Sequence, residues 1–190
     1  MSLGVGGAAV EMGAHICAFF HDRALRDEIV AGFAAEAGAA GHKCYCLLDG
    51  APPAGSAEVL TTVETYLAPG KFAAGPMLGR LKRLVRRALD DEGWPAVRAL
   101  GEMTWAAARP SAMEEVLHYE SEVNRFAGCD RQVLLCLYDL NRFSGDALVG
   151  VLRTHPWMVV ANVVLPSPWY QEPDAFVTGR TAPGPSAPTC

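Results

Sequence analysis

The sequence predicts an α/β protein: a mostly parallel central sheet with helices on both faces. Two observations carry this. Short apolar runs of strand length recur along the chain, and segments with helical spacing of apolar residues separate them. Strands alternating with helices build a sheet whose two faces are both covered.

HICAFF, residues 15–20, is the first apolar run and the first predicted strand. Asp22 then supplies a carboxylate able to accept an orphan backbone N–H, so it caps a helix. Leu25, Ile29 and Phe33 recur every four residues along that helix, which should stop at Gly38–Gly41. KCYCLLD, residues 43–49, is the second strand, and Pro52, Pro53 and Gly55 enforce the turn after it. SAEVLTTVETYL, residues 56–67, reads as a short helix capped by Ser56, broken by Pro69 and Gly70.

Residues 76–92 carry Leu78, Leu81, Leu84, Val85 and Leu89 on one side of a helix. Arg80, Lys82, Arg83, Arg86 and Arg87 occupy the remainder and read as a solvated basic face. Ala96–Leu100 is a third strand, and residues 111–127 return to helical spacing through Met113, Val116, Leu117 and Val123. VLLCLYD, residues 133–139, is the clearest buried strand. A helix over 145–153 and one strand through MVVANVVL complete the alternation. The domain therefore runs over residues 13–178, between a flexible leader (1–12) and a flexible Pro/Gly/Ser/Thr-rich tail (179–190).

Composition narrows the functional classes. A hydrophobic content of 51% and a charged content of 19% describe a globular body with a real core. The net charge of −5 gives no general attraction to nucleic acid or an anionic membrane. No apolar stretch is long enough to span a bilayer, and the first residues lack the basic region and apolar core of a secretion signal, so the expected location is the cytoplasm. Buried reduced thiols are the expected state of the cysteines.

Nucleotide hydrolysis is excluded on spacing. A phosphate loop needs clustered glycines followed by Lys and Ser/Thr, whereas FHDRALRD follows the first strand. A metal site has two candidate donor sets, His15 with Cys17 and His42 with Cys44 and Cys46, which would unite only if the first two strands were neighbours. A nucleophilic site would draw on Cys136, Asp139 and His155, near predicted strand ends where open α/β sheets form crevices. Glu120 and Asn124, four apart, share one helical face and can hold a polar network or simply face solvent. Tyr138, Trp105, Trp157, Trp169 and Tyr170 can wall an apolar ligand or fill the core.

HICAFF, YLAPGKF, GEMTWA, HYESEVN, LLCLYD, THP and SPWY, in that order, resemble the sensory domain of methanogens and methylotrophs, the MEDS domain. The resemblance runs from His15 to Phe176, with SPWY standing where the family pattern suggests an Asn-Pro-Tyr-Tyr-like run. It implies a RecA/KaiC-like fold without a phosphate loop, and a sensory or regulatory role without catalysis. It also implies a small organic input such as a hydrocarbon derivative. The characteristic positions it carries over include His15, Cys17, Trp105, Glu120, Asn124, Cys136, Tyr138, Asp139 and His155. His15, Cys17, Trp105, Glu120, Asn124, Tyr138, Asp139 and His155 are the ligand-pocket candidates, with cofactor and metal left open. No output segment is recognisable, so a signal is expected to pass through a regulatory protein partner or through homodimerisation. The rival readings are a metal- or thiol-dependent enzyme and a structural interaction protein.

Overall fold

The structure is a computed structural model that describes residues 1–5, 9–50, 57–68, 70–128, 131–160 and 163–179. The strands are β1 (His15–Phe20), β2 (Lys43–Leu47), β3 (Glu58–Leu60), β4 (Val97–Glu102), β5 (Gln132–Asp139), β6 (Trp157–Val160) and β7 (Val163–Pro166). They form one sheet in the order β3-β2-β4-β5-β1-β6-β7, parallel except for β7. The helices are α1 (Arg23–Ala39), α2 (Ala74–Arg86), α3 (Thr104–Ala107), α4 (Met113–Ala127), α5 (Gly145–Thr154) and α6 (Pro173–Thr178). This is the expected α/β class, and the core strand order is consistent with a RecA-like architecture.

Period-two alternation divides the core into two layers. Ile16, Ala18 and Phe20 of β1 and Val133, Leu135 and Leu137 of β5 pack with Ile29, Val30 and Phe33 of α1. Cys17, Cys136, Tyr138 and Ala99 point to the other face, under α2, α4 and α5. Asp22 caps α1 as expected, accepting from the Leu25 N–H at 2.8 Å. The helix carrying the basic run ends in a π-helical turn, Arg87–Asp91, that brings Arg87 to Glu58.

Three expectations need correction. Residues 58–60 are a strand, not part of a helix: Tyr45, Cys46 and Leu47 pair with Glu58, Val59 and Leu60, and Lys43 and Arg87 hold Glu58. After the strand, Thr61 donates its N–H and hydroxyl to the Glu64 carboxylate in a local turn. MVVANVVL is two antiparallel strands, with Val160 paired to Val163. Finally, the leader is packed where it is described: Leu3, Val5 and Val10 are buried, and Arg98 donates to the Ser2 carbonyl at 2.8 Å. The turn at Pro52, Pro53 and Gly55, the cap at Ser56, the break at Pro69 and the tail over 180–190 lie outside the described residues.

Candidate functional site

The polar side chains under α4 come from one face of the sheet. β1 presents His15 and Cys17 there, and β5 presents Cys136 and Tyr138, because residues two apart share a face. Over them lies the core-facing side of α4, where Val116 and Val123 flank Glu120. His155 enters from the junction between α5 and β6. His15, Glu120 and His155 are at most 1% exposed, and the two imidazole rings stand 4.1 Å apart between centroids.

Glu120 is the centre of this cluster. Its Oε1 accepts from the Tyr138 hydroxyl at 3.0 Å. Its Oε2 stands 3.2 Å from His15 Nε2, 3.6 Å from Cys136 Sγ and 3.6 Å from His155 Nε2. Burying a carboxylate is costly unless such partners surround it. Desolvation pushes its pKa up, but the hydrogen bond with His15, the nearby imidazoles and Tyr138 outweigh it, so the carboxyl is held below its ordinary range.

The outer partners orient both imidazole rings. Asn124 donates its amide to the carbonyls of Thr154, Ser121 and Glu120, which leaves Oδ1 to accept from His15 Nδ1 at 2.9 Å. His155 Nδ1 faces the Val151 carbonyl at 2.8 Å, so it too carries the proton. Both rings turn Nε2 towards Glu120, at 3.2 Å for His15 and 3.6 Å for His155. Burial, with His15 beside it, lowers the His155 pKa to about 3, which keeps this ring neutral. Burial also raises the Cys136 and Tyr138 pKa values well above their ordinary values, and raises that of Cys17.

A separate crevice of about 530 Å³ opens at the carboxyl ends of the strands. It lies beside the ends of β1 and β5, whose following helices leave on opposite faces of the sheet. Such a reversal point is the usual ligand crevice of an open α/β sheet. Phe20 supplies an apolar wall, while Asp22, Asp27, Asp49, Glu102 and Asp139 face Arg23, Arg26 and Arg142, an excess of two negative charges. Arg26 ties α1 to the rest: it donates to Glu102 at 2.6 Å, to Asp27 at 2.7 Å and to the Asp49 carbonyl at 3.1 Å.

The sequence candidates divide between these places. His15, Glu120, Asn124, Tyr138 and His155 meet under α4. Cys17 lies beside them on β1, its thiol donating to the Trp157 carbonyl at 3.6 Å. Asp139 lines the crevice, accepting from the Asn141 N–H at 2.9 Å, so it does not orient His155. With Cys136 buried and its thiolate disfavoured, the nucleophilic trio is not assembled. Trp105 packs between Tyr66 and Phe72 at 5.1 and 5.0 Å, as a core residue. The two sequence-based metal sets stay apart, because β4 and β5 separate β1 from β2, and Cys44 and Cys46 face the α1 layer.

Sequence reasoning missed the joining of Cys136 to Glu120. Two signals pointed to it: a carboxylate inside the apolar stripe of α4, and the i, i+2 pair Cys136 and Tyr138 on β5. It also passed over Arg26, whose only signal was its place one turn into the helix after β1.

A family model described as MEDS, the methanogen/methylotroph, DcmR sensory domain, matches residues 14–156. The transcriptional repressor DcmR of Methylorubrum extorquens (strain DSM 6343 / CIP 106787 / DM4) is 28% identical over 166 residues, or 80% of this chain and 61% of the repressor. The chain thus spans about three-fifths of the length of that relative. The family is described by a sensory role and the relative by a regulatory one, neither by catalysis. Among the described residues no helix is long and apolar enough to cross a membrane. With β1 through α5 inside the matched span, the chain belongs to the MEDS family of sensory domains.

Proposed function

We propose that this sensory domain holds a small neutral or cationic organic molecule in the strand-end crevice and passes its state to a protein partner, a second copy of the chain included. The observation that carries the reading is the acidic lining of a crevice at the reversal point of the sheet. A phosphate group would sit at the N-terminus of α1, where backbone N–H groups favour anions. Asp22 already places its own carboxylate there, and the surrounding excess of acidic groups repels a second anion. The volume of about 530 Å³ suits a small organic ligand. A ligand signals only by binding two conformations unequally. Arg26, which joins α1 to β4 and to the end of β2, is the group whose re-pairing would move α1.

Thermal-shift and native mass spectrometry measurements on the full chain test this. The panel contains neutral and cationic small organic molecules, short hydrocarbon derivatives among them, beside ATP and inorganic phosphate. A ligand at a hundred times its Kd adds about 2.7 kcal/mol of stability. That raises Tm by roughly 5–10 °C in a chain of this size. The expected result is such a shift, with a matching mass adduct, for a neutral or cationic compound. ATP binding without any organic hit would contradict the reading.

A further inference from the structure

The cluster under α4 brings the ligand atoms of two imidazoles, a carboxylate and a thiol together out of reach of solvent. His155 Nε2 and Glu120 Oε2 are acceptors, and His15 Nε2 and the Cys136 thiol converge on the same point. His155 Nε2 is fully buried and has no hydrogen-bond partner among the described residues, since Glu120 Oε2 at 3.6 Å is both too far and an acceptor. Buried acceptors converging in this way call for a cation at their centre.

The distances fit a metal ion. The four donor atoms His15 Nε2, His155 Nε2, Glu120 Oε2 and Cys136 Sγ all lie within 4.8 Å of one another. A tetrahedral zinc ion with N and O ligands at about 2.0–2.1 Å and S at about 2.3 Å has ligand–ligand edges of about 3.3–3.6 Å. Four of the six edges here are 3.2 Å from His15 to Glu120, 3.5 Å from His15 to Cys136, 3.6 Å from Cys136 to Glu120 and 3.6 Å from His155 to Glu120, and the two from His155 to His15 and Cys136 are within 4.8 Å. The outer contacts fit as well. A metal-bound imidazole usually donates its other N–H to a carbonyl or carboxylate, and here Asn124 and Val151 accept those protons.

We propose that His15, Glu120, Cys136 and His155 form a closed, four-coordinate site for a divalent transition cation, with zinc the best fit to the ligand chemistry. Two nitrogens, one thiolate and one carboxylate select zinc or its neighbours over magnesium or calcium. Charge closes too: the ion displaces the Cys136 thiol proton to solvent, and thiolate plus carboxylate then neutralise its two positive charges. Four protein ligands leave no open position, so the ion is structural, linking β1, α4, β5 and the start of β6. This inference stands independently of the strand-end crevice.

The test loads metal-free full-length chain with Zn²⁺ alone and with Co²⁺ alone. Elemental analysis counts the ion, and the visible and near-ultraviolet spectrum of the cobalt form reports geometry and sulfur ligation. One ion per chain is expected, with tetrahedral d–d bands and a thiolate-to-cobalt charge-transfer band. The Cys136→Ser chain is expected to lose that band, and His155→Gln to bind at least about tenfold more weakly. Cys17→Ser, outside the set, is expected to keep band and stoichiometry. The wild-type spectrum decides even where a variant folds poorly. No uptake of either ion at one equivalent, a cobalt complex without sulfur charge transfer, or a band that survives Cys136→Ser would overturn the site.

Discussion

Asn124 and His15, 109 residues apart in sequence, meet at 2.9 Å, and that contact sets the direction of the His15 ring. Asn124 also donates to three backbone carbonyls, two on α4 and one at the end of α5. It therefore joins a helix–helix contact to the ring that faces Glu120.

Asn124→Ala removes those donors together with the acceptor for His15. Buried polar groups left unmatched cost about 1–3 kcal/mol. Urea unfolding should show a loss of that order. A loss within error of zero would mean that water replaces the amide without penalty.

Gly101 is a second point of close fit. A methyl group there would run into the Tyr66 hydroxyl, so Gly101→Ala should destabilise by about 1–3 kcal/mol. In a double-mutant cycle, Tyr66→Phe should recover much of that loss, since the hydroxyl is the nearest obstacle. Strictly additive losses would contradict the contact.

Leu3 is fully buried in the α1 layer. Leu3→Ala should cost about 2–5 kcal/mol, the range for a truncated core leucine. A chain that tolerates the change without loss in urea would have an N-terminal segment that does not pack.

The sequence was most readable where burial and local chemistry agree. HICAFF, KCYCL and VLLCLYD became β1, β2 and β5 because an apolar run of that length fits a sheet covered on both faces. The β6–β7 hairpin was hidden because no Gly or Pro interrupts MVVANVVL. β3 was hidden because its support is non-local, from Lys43 and Arg87. The site followed the same rule. Glu120 and Asn124 share a helix face by spacing alone, but their meeting with His15 depends on β1 lying beside β5, which only the crossovers decide.

Glu58 makes a prediction for acid stability. Burial raises its pKa, but hydrogen bonds from Lys43 and Arg87 outweigh it, so the folded carboxyl lies below its ordinary value of 4.5. The sign follows from linkage: its contribution is full above the unfolded value and lost as pH falls through the lower folded one. The wild-type urea midpoint should therefore fall more steeply below about pH 5 than that of Glu58→Gln. Parallel curves for the two chains would remove Glu58 from acid unfolding.

The separation of ligand crevice from buried cluster is the central claim, and calorimetric titration of one organic hit tests it. Ala31 is exposed on α1 and lines the crevice, so Ala31→Trp fills the space without entering the core. Titrations of wild type, Ala31→Trp and Cys136→Ser should show binding weakened at least about tenfold, or 1.4 kcal/mol, by Ala31→Trp. Cys136→Ser should leave the affinity within about threefold. Unchanged affinity in Ala31→Trp, with binding lost in Cys136→Ser, would place the ligand under α4 and contradict the account.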